Sequence, residues 1–153
     1  MIATTVDRVN TQSAEGRDRM RMYYAHAKPS YGTLTERAEQ GQIKTRFAEY
    51  EIIDPGKYEG NVEKQRMGGL NYCFQLIDGC QALTYSRWKN KITAGVGKEI
   101  NYALSKNMPV YELRGKRVKA IHRPVTYLSL DATMRLYSAL ELKQRQRKAV
   151  KTQ

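Results

Sequence analysis

The segment Gly95-Val96-Gly97-Lys98-Glu99 places a carboxylate two residues after the second of two glycines. Set where a strand gives way to a helix, that spacing can do chemistry. Glycines let backbone N–H groups approach an anion closely, and a helix N-terminus adds partial positive charge. Lys98 adds a full one. A phosphate or a carboxylate is the natural occupant of such a loop. The pattern is shorter than the GxGxxG dinucleotide fingerprint. Glu99 is expected in the first helical turn. There it either complements the helix dipole or serves as a nucleophile, or as a carboxylate that stabilises an oxocarbenium ion.

Two further loops supply candidates, residues 26–32 and 54–60. His26 either donates a proton near neutral pH or plays a structural part. Lys28 and Ser30 can hold phosphate or sugar hydroxyls. Asp54, before Pro55, makes an Asx-type turn or bonds a ribose or base. Trp88, in the basic run Arg87-Trp88-Lys89-Asn90-Lys91, suits stacking on a base, packing across subunits, or closing a lid over the core. Tyr23 and Tyr24 alternate across a strand, so one faces each side of the sheet. One of them stacks on a base, touches the reacting carboxylate, or is a buried strand tyrosine; Tyr24 is taken as the catalytic partner of Glu99 and the contact to the base. The cysteines, Cys73 and Cys80, are seven residues apart, roughly 10 Å along a helix and too far for a bridge. There is no CxxC and the histidines are distant, so no metal and no cofactor are expected.

The elements that must position these groups follow from pattern and punctuation. Residues 20–25 alternate like a strand. Thr33 and Glu36 have capping-box spacing for a helix to about Phe47. Residues 50–54 form a strand stopped by Pro55-Gly56. Residues 62–79 have helical spacing, with Gly68-Gly69 as a break or late start. Strands at 81–86 and 108–113 bracket a helix from about Val96 to Ser105. A fifth strand covers 118–121, and a long helix runs from Leu130 to Ala149. Alternating strands and helices predict an α/β fold: a three-layer, mostly parallel Rossmann/flavodoxin-like sheet with helices on both faces. Ligands bind such sheets beyond the carboxyl ends of the strands, where these loops lie. The expected organisation is a flexible extension over 1–18, a nucleotide-binding domain over 19–140, and a basic helix end or tail over 141–153.

The run GVGKEINYALSKNMPV resembles the GxGxE-x-x-x-A-x-x-x-x-x-P-V signature of the nucleoside 2-deoxyribosyltransferase-like superfamily. That group includes deoxyribosyltransferases, deoxynucleoside 5′-monophosphate N-glycosidases and CMP hydrolases. The segments MYYAHAKPSYG, YEIIDP and LIDGCQALTYS are similar to its first strand and loop, second strand, and helix-to-strand passage. The likeness covers about residues 19–113. It implies that Glu99 attacks the anomeric carbon of a nucleoside or nucleotide, and that the chain is a homo-oligomer. The aspartate that the family carries on the preceding helix corresponds to Cys73, and its strand-three aspartate to Gln81. Asp54 or Asp78 would have to supply an acid from nearby. A pocket that binds a nucleotide without turnover is the alternative.

The formal charge of +12 over 153 residues favours polyanions. It is densest in the last helix, which either solvates itself or binds nucleic-acid phosphates. No stretch approaches the run of about 18 apolar residues that a membrane span needs. Unbridged cysteines and the lack of a secretory signal predict a cytoplasmic protein without a membrane partner.

Overall fold

The computed structural model describes residues 19–151. The extension expected over residues 1–18 lies outside them. In chain order the elements are β1 (Met20–Ala25), α1 (Leu34–Arg46), β2 (Tyr50–Ile53), α2 (Val62–Met67), α3 (Gly69–Asp78) and β3 (Ala82–Ser86). Then follow α4 (Ala94–Ser105), β4 (Val110–Arg114), β5 (Arg117–Ile121) and α5 (Leu130–Lys151). The strands form one sheet in the order β2-β1-β3-β4-β5. The first four are parallel and β5 runs antiparallel to β4. This is a three-layer α/β fold of the Rossmann/flavodoxin-like kind, as the alternation of elements predicts.

Local chemistry explains most of the boundaries. Thr33 is extended and its side chain accepts from the Glu36 N–H, which starts α1. The Glu36 carboxylate turns instead to the Gly32 N–H and to His26, so the capping box is half formed. The helical run over 62–79 is interrupted where Gly68-Gly69 was expected to break it: it is two helices, because Gly68 takes φ +87° between them. That conformation is cheap only for glycine. Gly115, at φ +57°, opens the two-residue turn that folds β5 back on β4.

The sheet has two cores, one on each face. Tyr23, Ala25, Leu83, Tyr85 and Val110 pack with Cys73 and Ile77 of α3 and with Val96, Ile100 and Ala103 of α4. On the other face Met22, Tyr24, Ala82 and Leu113 pack with Ile43 of α1. β1 lies between β2 and β3, and Met22 through Ala25 are fully buried. A strand covered on both faces needs such a continuous apolar run. Cys80 lies just beyond the end of α3, and both cysteines are buried and unbridged. Among the described residues no helix is long and apolar enough to cross a membrane.

Two glycines of α4 should respond oppositely to substitution. A Cβ on Gly97 would overlap the ring and Cβ of Tyr127, whereas one on Gly95 meets nothing within 4 Å. Gly97→Ala is expected to lose about 1–3 kcal/mol of stability through overpacking. Gly95→Ala should be neutral or slightly stabilising, since alanine is the better helix former. Urea unfolding of the two variants measures the contrast.

Candidate active site

α4 begins at Ala94, two residues before the expected start. Thr93 is the extended N-cap residue but makes no side-chain cap of its own. The cap comes from α5: the Ala94 N–H donates to Thr133 Oγ1 at 3.0 Å. Gly95, Val96 and Gly97 therefore form helix rather than a loop. The Gly97 N–H is already bonded to Thr93 O at 2.9 Å. The Gly95 and Val96 N–H groups keep no partner among the described residues, and both residues line a cleft at the helix end. What Gly97 supplies is room for Tyr127.

The same shift moves Glu99 into the second turn. No acid lies in the first turn of α4, so the dipole-complementing role is corrected. Val96, Glu99, Ile100 and Ala103 are all buried and fall at helical spacing on the side that faces the sheet. Glu99 is 6 % exposed. Its Oε2 accepts a hydrogen bond from the Tyr23 hydroxyl of β1. The Cys73 thiol of α3 is its other close neighbour. Burial pushes the Glu99 carboxyl up to about 7, although hydrogen bonds from Tyr23 and Cys73 and the charge of Lys64 oppose the rise. Burial and the Glu99 charge keep Tyr23 protonated, well above the usual phenol range. Burial likewise pushes the Cys73 thiol up to about 11.

The cleft above Glu99 has a volume of about 250 Å³. His26, Lys28 and Tyr31 line it from the loop after β1, and Lys64 and Cys73 from α2 and α3. Leu130, Thr133, Met134 and Tyr137 of α5 close the remaining side. Lys64 is buried, with its Nζ 3.0 Å from Glu59 Oε1; Lys28 Nζ lies 3.9 Å from the same oxygen. Two ammonium groups thus share one carboxylate at the cleft, which favours an anionic ligand group.

Other candidates fall elsewhere. Tyr24 is on the opposite face: its ring stacks on His26 at 3.7 Å and its hydroxyl donates to Glu39. The residue that meets Glu99 is Tyr23. Ser30 is occupied by its own turn, donating to Ala27 O at 2.7 Å. Asp54 makes the Asx-type turn, accepting from the Gly56 N–H at 2.8 Å, and also accepts from Gln40. Asp78 accepts from Tyr102 beside the C-terminus of α3, so neither aspartate reaches Glu99 as an acid. Trp88 packs edge-on against Tyr137, and Lys98 is exposed outside the cleft.

His26 lines the cleft, but both ring nitrogens are engaged. Nδ1 is 3.0 Å from Tyr24 O and Nε2 is 2.6 Å from Glu36 Oε2. It cannot donate a proton to a ligand without breaking one of these bonds. His26, Glu36 and Asp54 have the donor types of a metal site and lie within 4.8 Å of one another. Their carboxylates, however, are already satisfied by Gly32, Gly56, Gln40 and His26.

Lys64 was not singled out from the sequence; Met134 and Tyr137 stood out only as an amphipathic face of the last helix, expected to pack on the domain or on a second subunit, and here they line the cleft. Lys64 reads as an ordinary helix lysine, and nothing local ties α5 to α4. Cys73 carried a signal in its helical spacing with Leu70 and Ile77, and stood where the superfamily that the sequence resembles has an aspartate. Compared with family models, curated proteins and solved structures, the chain has no match.

Ionising Glu99 should cost stability. Its folded-state value of about 7 lies above the ordinary 4.5, so the native state binds the extra proton and stability falls as pH rises through that window. At about 1.4 kcal/mol per pH unit the cost is on the order of 3 kcal/mol above pH 7. Glu99→Gln is therefore expected to be more stable than the parent at pH 8–9. The advantage should fade towards pH 5, as urea unfolding across that range will measure.

Proposed function

We propose that this protein acts on the N-glycosidic bond of a nucleoside or nucleotide, with Glu99 as nucleophile. The observation that carries the reading is a buried carboxyl at the ligand-binding edge of the sheet, held by a strand tyrosine and opening on a cleft. Tyr23 holds Oε2, which leaves Oε1 to attack the anomeric carbon. The bond to the base breaks and its electron pair leaves with the base, giving a glycosyl ester on Glu99. Water then hydrolyses the ester, delivering hydroxyl to the sugar while its proton offsets the one taken up by the base. A second base in place of water gives transfer. The resemblance of GVGKE to the deoxyribosyltransferase-like signature assigns the same role to Glu99.

Lys64, Lys28 and the free Gly95 and Val96 N–H groups are suited to phosphate or sugar oxygens. The reaction so drawn uses no cofactor. Tyr31 lines the cleft and offers an aromatic ring for the base, a part first given to Tyr24 and Trp88.

A second reading is binding without turnover. It is favoured by the acid–base inventory of the cleft. Glu99 is the one carboxylate among the described lining residues, and Cys73, a thiol held protonated, stands where the resemblance places an aspartate.

The test is release of free base from a panel of nucleosides and nucleotides, followed chromatographically. Activity should rise with pH through about 7 as Glu99 ionises. Glu99→Gln should lose at least about 10³-fold. Thermal stabilisation by a nucleotide with no base release at any pH would leave the binding reading in its place.

A further inference from the structure

Across the sheet from the Glu99 cleft, a second concave surface lies between α1 and the ends of β3 and β4. At the end of the sheet two residues lining this surface, Arg87 and Arg114, converge on Glu112 of β4, which is fully buried and shares the sheet face of Tyr85 and Val110. Arg87 Nε reaches its Oε2 at 2.9 Å and Arg114 Nε its Oε1 at 2.6 Å. Burial alone would push Glu112 up, but the two arginines outweigh it and hold the carboxyl below its ordinary value. Three charges thus leave one net positive. The side chains of Arg87 and Arg114 are 38 % and 52 % exposed. Each spends its Nε on Glu112, and the Nη groups have no protein partner among the described residues. Guanidinium groups anchored from behind, with their outer edges open, are pre-organised to grip phosphate.

The surface continues beyond this pair. The β4–β5 turn is tied to α1 by Gln42 Nε2, which donates to Gly115 O at 2.5 Å, and by Arg46, which donates to Lys116 O. A hollow of about 550 Å³ is lined by Glu39, Ser86, Arg87, Asn90 and Arg114. A second of about 500 Å³ is lined by Gln42, Thr45, Arg46 and Lys116, and the two meet at Gly115. Glu39, the acid of the first hollow, is already engaged by the Tyr24 and Ser86 hydroxyls. Cations therefore follow one another along a continuous groove, from Arg87 and Arg114 to Arg46 and Lys116.

We infer that this groove binds the phosphate backbone of a nucleic-acid strand. Several cations in series match a chain of phosphates better than a single anion, and the net charge of +12 favours such a partner. No aromatic side chain lines either hollow. The contact is therefore to backbone, without stacking on bases and without sequence preference. The sequence offers the basic end of α5 for this role only as one of two readings, the other being a solvated helix end. The inference stands apart from the chemistry at Glu99.

The experiment uses the full chain and fluorescent oligomers of about 20 nucleotides: single-stranded RNA, single-stranded DNA and duplex DNA. Anisotropy is recorded from about 50 mM salt upward, with labelled poly-glutamate as the polyanion control. One variant combines Arg46→Gln with Lys116→Gln. A second combines Arg87→Gln, Glu112→Gln and Arg114→Gln, so that no buried charge is stranded. A third, Arg145→Gln with Arg147→Gln, neutralises part of α5. Thermal unfolding checks that each folds. The expected result is salt-dependent binding of at least one oligomer, weakened about tenfold or more by either groove variant that folds, and within twofold of the parent for the α5 variant. Three outcomes overturn the inference: no binding at the lowest salt, loss confined to the α5 variant, or poly-glutamate bound as tightly as nucleic acid.

Discussion

The Tyr23–Glu99 hydrogen bond is the constraint on which the cleft depends. A carboxyl taken out of water costs free energy unless a partner replaces its hydration. Here the partner is the hydroxyl of a fully buried tyrosine on an inner strand. Neither group can be moved alone. Tyr23 is fixed because β1 is hydrogen-bonded on both sides. Glu99 is fixed because Val96, Ile100 and Ala103 dock α4 on the same sheet face. The carboxyl rides on the core stripe of its helix, so the packing that stabilises α4 also raises its pKa.

Two buried glutamates show how environment divides one residue type into two roles. Glu99 has hydrogen-bond donors and a distant lysine, and burial prevails, so its proton is held near neutrality. Glu112 has two arginines on its oxygens, and they prevail, so it stays ionised. The first is a group that can change state during a reaction. The second is a fixed counter-charge that orients the guanidinium groups around it.

The layers are unequal in the same way. The face with Tyr23 carries α3 and α4, and the start of α5 seals the end of α4 through Thr133. On the other face the second core draws on α1. A deep cleft forms where helices converge, and a shallow groove forms where one helix meets a hairpin turn.

What was legible in the sequence was local. The Thr33 cap, the break at Gly68, the stop at Pro55-Gly56 and the order of strands follow from side-chain period, capping chemistry and glycine's freedom at positive φ. These act within a few residues, and the right-handed crossover rule converts them into the fold class. Glu99 was legible as a candidate for the same reason, because its glycines are adjacent. Which tyrosine meets it was not. Alternation places Tyr23 and Tyr24 on opposite faces, but only the docking of α4 decides which face holds the carboxyl. The helix start was missed because its cap, Thr133, comes from 39 residues away. Lys64, Met134 and Tyr137 reach the cleft, and Trp88 leaves it for Tyr137, through contacts between elements. The sequence by itself therefore determined most of the elements and pointed to Glu99 as the candidate residue. The tertiary structure alone decided its partners, because burial and long-range contact arise only when helices pack on the sheet.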